Sequence, residues 1–237
     1  MNEINNSEFH KCYKCFRPVK SCYCSSLVQA DTGIKFVFLM HPKEAYRQKT
    51  GTGRLASLSL IDSEIIIGID FTYNKRLNAL ISGEGEYAQY FPVVLYPSKD
   101  AYFTDTPAFR QAIGNKKLLV ILVDATWFFA QKMVNASANL KPLPKLSFKN
   151  EYRSQFIIKK QPAPACLSTI ESSFYLIEEL KSAGIANPAA DVSGLMNVFH
   201  QMVEFQQSCT QTRHEEEAAK QFPDLFSFPH SSVSVDR

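Results

Sequence analysis

Two apolar runs, Leu118–Val123 (LLVILV) and Ile34–Met40 (IKFVFLM), constrain the fold more than any other feature of this sequence. A strand with one wet face alternates apolar and polar residues. These runs do not alternate, so both of their faces must be covered. They are also far shorter than the roughly 18 apolar residues of a membrane-spanning helix. Glu64–Ile69 (EIIIGI) and Val93–Tyr96 read as further strands, and Phe156–Ile158 as a late one. Helical stretches fall between them, at Gly53–Ser59, Arg76–Ile81, Pro107–Ile113, Trp127–Ala138 and Gly194–Cys209. Ser168-Thr169-Ile170-Glu171 has capping-box spacing and opens another helix that ends near Gly184. Strands alternating with helices predict an α/β fold, a mostly parallel sheet with helices on both faces.

The chain has 237 residues, enough for one large domain or two small ones. No internal repeat is present, and 12 Pro with 9 Gly exclude a collagen-like or low-complexity chain. Composition and motif order suggest a cysteine-bearing segment over 1–33, an α/β domain over 34–228 and a flexible polar tail over 229–237. The first residues, through Lys11, read as a mobile leader. They carry no apolar core of a signal peptide, so a soluble cytoplasmic protein with no membrane contact is expected. The net charge of +3 neither demands nor excludes a nucleic-acid partner, because only a clustered basic face would matter.

Four of the six cysteines lie between Cys12 and Cys24, in the pattern Cys12-x2-Cys15-x6-Cys22-x-Cys24. A cytosolic chain keeps no disulfide framework, so a cluster this dense points to metal. Four thiolates can close a tetrahedral shell around Zn²⁺ with no open position, which makes the site structural. Arg17, Lys20, Tyr13 and Tyr23 would then sit on a small zinc knuckle. They suit RNA phosphates and bases there, or simply solubilise it. Cys166 and Cys209 stand alone and read as buried structural thiols.

Parallel sheets bind ligands at the carboxyl ends of their strands. Those ends carry His41-Pro42-Lys43-Glu44, Pro97-Ser98 and Asp124-Ala125-Thr126-Trp127. A carboxylate at the tip of a buried strand is expensive to leave unpaired, so Asp124 is either a cap for the helix starting at Trp127 or a site group. Trp127, the only tryptophan, is a core anchor or a ligand stacker. His41 reads first as a hydrogen-bonded structural histidine. Thr50-Gly51-Thr52-Gly53-Arg54 is a turn that could offer amides to an anion. Lys43, Arg47, Lys49 and Arg54 form a solvated or phosphate-binding basic stretch.

These motifs, taken in order, resemble the DTW-domain family. The resemblance rests on Cys12-x2-Cys15-x-Arg17-Pro18 with Cys22-x-Cys24, His41-Pro42-x-Glu44, Thr52-Gly53-Arg54-Leu55-Ala56, Tyr96-Pro97-Ser98, Asp124-x-Thr126-Trp127 and Leu167-Ser168-Thr169-Ile170-Glu171. It covers the chain from Cys12 to about Gln206. The family includes tRNA-uridine aminocarboxypropyltransferases and is similar in fold to SPOUT-type enzymes. The resemblance implies transfer of the 3-amino-3-carboxypropyl (acp) group of S-adenosylmethionine (SAM) to N3 of a tRNA uridine, releasing 5′-methylthioadenosine. Under it, Asp124 accepts or positions the N3 proton, or orders the ribose or amino group of SAM, and Thr126 and Trp127 shape the same pocket. Pro97, Ser98, Leu143, Pro144, Ser168, Thr169 and Glu171 would hold SAM. Arg17, Arg54, Lys145 and Arg153 would meet tRNA phosphates, with Lys141 and Lys149 in the same late basic stretch. No Gly-rich Rossmann loop appears, which agrees with a SPOUT-like pocket. Two rivals use the same residues, a SAM-dependent RNA methyltransferase and a non-catalytic zinc-knuckle RNA-binding protein. A monomer and a homodimer are both compatible with the sequence.

Overall fold

The apolar runs become strands whose two faces are both buried. In the structure, a computed structural model describing residues 11–48, 50–158 and 166–221 (side chains to 213), the strands are β1 (Lys35–Met40), β2 (Ser63–Ile67), β3 (Tyr90–Leu95), β4 (Tyr102–Phe103), β5 (Lys117–Asp124) and β6 (Lys145–Ser147). They form one sheet in the order β2-β1-β5-β3-β6-β4, and every neighbouring pair is parallel. β5 lies at its centre, with Lys35 opposite Leu119 and Met40 opposite Asp124 on one side, and Val94 opposite Ile121 on the other.

Alternate residues of these strands face opposite layers. Phe36, Phe38, Val93, Val120 and Leu122 join one core with α2 (Gly53–Leu58), α4 (Pro107–Ile113), α6 (Thr169–Ser182) and α7 (Ser193–Gln221). Val37, Leu39, Val94, Leu119 and Ile121 join a second core with α3 (Lys75–Ile81) and α5 (Trp127–Ala136). Each fully buried side chain contributes about 1.5–3 kcal/mol by leaving water, which is why the runs show no alternation. A short helix, α1 (Pro42–Arg47), follows β1 directly.

Helix boundaries follow local chemistry. Asn74 caps α3 by accepting from the Leu77 amide at 2.9 Å, and Thr106 caps α4 with Pro107 in its first turn. The chain leaves α6 through Gly184 at φ +68°, which lets the Ile185 amide reach back to the Leu180 carbonyl.

Three expectations need correction. Phe156–Ile158 is not a strand. Phe156 is buried edge-on against Phe199, and the adjoining Gln155 amide is satisfied by the Glu171 side chain rather than by a neighbouring strand. β4 and β6 had no apolar run to announce them; Leu146 is simply drawn into the core between its neighbours. The last helix runs past Cys209 to Gln221, because no Gly or Pro interrupts the good helix formers before Pro223. The leader up to His10, Lys49 and the tail over 229–237 lie outside the described residues. Among the described residues, no helix is long and apolar enough to cross a membrane.

Candidate active site and metal centre

A pocket of about 420 Å³ opens at the carboxyl ends of β3, β5 and β6. That is where a parallel sheet is expected to bind, and the size lies within the roughly 300–1,000 Å³ of small-molecule sites. Leu95, Tyr96 and Pro97 enter it from the end of β3, and Ala125 and Trp127 from the end of β5. Phe148, Asn150, Glu151 and Tyr152 form another wall, and Thr169 and Ser172 project from the first turns of α6.

Asp124 ends the central strand and is 4% exposed. Its carbonyl accepts from the His41 amide at 2.9 Å, which ties the ends of β1 and β5 together. Its Oδ1 accepts the Thr169 hydroxyl at 2.5 Å. Asp124 does not cap α5; that helix starts on Thr126, whose side chain makes no capping bond. Asp124 is therefore joined to a residue that lines the pocket. Thr126 is exposed, while Trp127 is 40% exposed at the pocket mouth, so it is not a core anchor.

Gly53 explains the tight approach on the other side. A Cβ there would stand less than 3 Å from the carboxylate carbon and both oxygens of Asp124. Gly53→Ala is expected to push the carboxylate away from Thr169, at a cost of about 1–3 kcal/mol in stability and with loss of activity. Thermal melting with an activity assay checks this, and an unchanged variant would show that the contact does not matter.

Of the residues expected to hold SAM, Pro97 and Thr169 line the pocket. Ser98 points to the exposed turn that follows, where its hydroxyl accepts from the Asp100 amide. Leu143 packs on the second core, and the Pro144 carbonyl accepts from the Val94 amide. Ser168 and Glu171 face inward. Glu171 is fully buried and accepts from the Ser168 amide and hydroxyl at 2.8 and 2.6 Å, and from Ser154 Oγ and the Gln155 amide at 2.9 and 2.6 Å. The capping box is present, but its carboxylate also anchors the loop that follows the pocket wall.

Glu179, which the sequence did not single out, does for the neighbouring wall what Glu171 does for that loop. It accepts from the Thr104 and Tyr152 hydroxyls, the Lys149 and Asn150 amides and Asn150 Nδ2. Tyr152 also stacks on Tyr175 at 4.0 Å. The wall residues Phe148, Asn150 and Tyr152 were hidden inside a stretch read only for its basic charges. The signal of Phe148 and Tyr152 is aromatic rather than electrostatic. Cys166 is half-buried and lines the pocket, and Cys209 is exposed, so neither is a plain core thiol.

The four clustered cysteines converge. Their sulfurs lie within 4.8 Å of one another, with Cys12 to Cys24 at 3.6 Å and Cys15 to Cys22 at 3.7 Å. Tetrahedral Zn–S bonds of about 2.3 Å require sulfur edges of about 3.8 Å, so the donor set fits zinc. The backbone amides of Cys15 and Lys14 lower the Cys12 thiol to about 6, whereas burial raises Cys15 and Cys24. The segment also docks on the body. Arg17 is 6% exposed, lies over the Tyr23 ring at 4.9 Å and donates to Met202 Sδ at 3.1 Å, and Tyr23 meets Phe205 edge-on. Cys22→Ser is expected to lower bound zinc from about one per chain to none, and to open residues 12–26 to limited proteolysis while the sheet stays folded. Elemental analysis with a proteolysis time course measures it; full zinc occupancy in the variant would refute the four-cysteine site.

The RNA-facing expectations are redistributed. Arg17 is committed to the interior, and Tyr23 is buried beside it. Lys145 donates to the Leu140 and Leu143 carbonyls at 2.6 and 2.8 Å, and burial lowers its pKa. Lys149 pairs with Asp105. Arg153 is exposed. Arg54 lies 4.2 Å over the Phe16 ring, where burial lowers its pKa and the Asp124 charge opposes that shift. His41 caps α1 by accepting from the Lys43 amide and stacks on Phe129 at 4.5 Å, a structural role.

A six-stranded parallel sheet with helices on both faces, a pocket at its carboxyl edge and a four-cysteine knuckle define a three-layered α/β protein. The family model described as the DTW domain matches residues 9–207, and the chain belongs to that family. A Drosophila melanogaster protein named tRNA-uridine aminocarboxypropyltransferase 2 is 29% identical over 177 residues, covering 73% of this chain and 67% of its own. Proteins of the same name from Macaca fascicularis and Mus musculus are 25% and 27% identical, each over 68% of this chain and 53% of theirs. The chain thus spans about half the length of these two mammalian relatives. No solved structure matches it significantly.

Proposed function

We propose that the chain is a SAM-dependent tRNA-uridine aminocarboxypropyltransferase. The observation that carries this reading is the Asp124–Thr169 pair beside a pocket at the sheet's carboxyl edge, in a chain whose relatives bear that enzyme's name. SAM offers three electrophilic carbons on its sulfonium. In this transfer the bond from sulfur to the aminocarboxypropyl Cγ breaks, its electron pair returns to sulfur, and uridine N3 bonds to Cγ and gives up its proton. The pocket's work is alignment, which can supply several kcal/mol of barrier reduction. Trp127, Tyr96, Leu95 and Tyr152 offer the apolar and aromatic walls that an adenosine needs, and Pro97 closes one side. The Thr169 hydroxyl links the pocket to Asp124, which accepts or positions the N3 proton.

The reading extends to a SPOUT-like pocket in place of a Rossmann loop, to structural Zn²⁺ on Cys12, Cys15, Cys22 and Cys24, and to a cytoplasmic protein. It divides the chain into the knuckle over 1–33, the catalytic domain over 34–228 and the tail over 229–237.

The test is one reaction of protein, SAM and tRNA lacking the modification, with the products read by mass spectrometry. Methylthioadenosine with a matching mass gain on uridine is the expected result. S-adenosylhomocysteine would make the protein a methyltransferase, and neither product with tRNA still retained would make it a binding protein.

A further inference from the structure

The aromatic residues around Asp124 are distributed unusually for a soluble surface. Phe128 is 62% exposed, Tyr46 72% and Phe16 52%, and Trp127, the neighbour of Phe128 in the chain, stands at the pocket mouth. Three of the neighbouring rings carry a cation. Lys132 Nζ lies 4.2 Å from the Phe128 centroid, Lys43 Nζ 4.5 Å from Phe129, and the Arg54 guanidinium 4.2 Å from Phe16.

These groups belong to one continuous rim. The His41–Phe129 stack joins α1 to α5, and the Phe128 ring meets Phe129 edge-on. The Phe16–Arg54 contact joins the knuckle to α2, the Asp124 carboxylate acts electrostatically on Arg54, and Tyr46 stands on α1, the helix that also carries Lys43. The charge is one-sided. α1, α2 and α5 carry Lys43, Arg47, Arg54 and Lys132 against the single acid Glu44, and the knuckle from Lys11 to Ser26 has no acid at all.

Exposed aromatic faces interleaved with cations suit a single-stranded polyanion whose bases can stack. A membrane surface or an apolar protein partner would want a contiguous apolar patch instead, and here Phe16, Phe128 and Phe129 each carry a cation on the ring. We propose that this rim, built from Phe16, Tyr46, Arg54, Phe128, Lys43 and Lys132, is the RNA-docking surface that stacks unpaired nucleotides flanking the target uridine and holds their phosphates. This rests on the reading of the protein as a tRNA-modifying enzyme. It moves the RNA contacts away from Arg17 and Lys145, which are committed inside the fold.

The test uses the full chain with unmodified tRNA, measuring tRNA affinity against salt and SAM affinity in parallel. Phe128→Ala and Tyr46→Ala are each expected to weaken tRNA binding about five- to a hundredfold, the range of one lost base stack. Phe128→Trp should restore binding, and Phe128→Leu, which keeps apolar area without a π face, should not. Lys43→Ala and Lys132→Ala should each flatten the salt slope by about 0.7–0.9. SAM affinity should not move in any of them. If the unsubstituted protein does not retain tRNA, the tRNA-modification reading fails and the rim fails with it. If that protein binds tRNA and the variants bind equally well, the rim alone is overturned. It is likewise overturned if the variants change only the oligomeric state, which would make the face a subunit interface.

Discussion

Asp124→Asn is expected to lower the transfer rate about 10²–10⁴-fold, the usual weight of a proton-transfer group, with the protein folded and still retaining tRNA. The substitution preserves side-chain size against Gly53, and its amide oxygen can still accept the Thr169 hydroxyl bond, which is 2.5 Å long in the structure. What it removes is the carboxylate's capacity to take a proton. Single-turnover rates with a melting curve separate the outcomes. A variant that is unfolded would make Asp124 a strut between α2 and α6. A folded variant at the original rate would remove it from the chemistry altogether. Thr169→Val and Thr169→Ser sharpen the result, since only the serine keeps the hydroxyl that connects the pocket to the carboxylate.

Glu171→Ala should have the largest effect on stability, a loss of about 3 kcal/mol or more. It strands four donors around a fully buried position, and each buried unsatisfied group costs about 1–3 kcal/mol. For a chain of this size that corresponds to a fall of roughly 6–12 °C in melting temperature. Glu171→Gln, which keeps one acceptor oxygen, should fall between the two. Urea unfolding with a thermal scan measures both. A change below about 1 kcal/mol in the alanine variant would mean that water replaces the carboxylate without cost.

Much of the architecture was legible residue by residue. The non-alternating runs at 34–40 and 118–123 read as strands covered on both sides, and they are. The Ser168–Glu171 spacing located α6, and the Cys12–Cys24 spacing located a donor set that converges as a zinc tetrahedron requires. The errors share one cause. Phe156–Ile158 has strand composition, yet its neighbour's backbone is satisfied by Glu171, 15 residues from Phe156 in the chain. β6 has almost no strand composition and becomes one because Leu146 has a core to enter. Arg17 and Lys145 look like surface cations until the structure supplies the sulfur and carbonyls that draw them inward.

The same division applies at the site. Asp124 and Thr169 are separated by 45 positions, and Gly53 by 71 from Asp124. No local pattern can say that a hydroxyl, a carboxylate and a glycine too close for a Cβ will meet. Periodicity, caps and cysteine spacing act over a few residues, so they are written into the chain itself, along with the layering of the sheet and the polar tips of its strands. Which tips converge, which cations are drawn inside and which aromatic rings remain outside depend on contacts between distant segments. Those contacts are decided only when the parallel strands pack, because a crossover can place any two strand ends side by side.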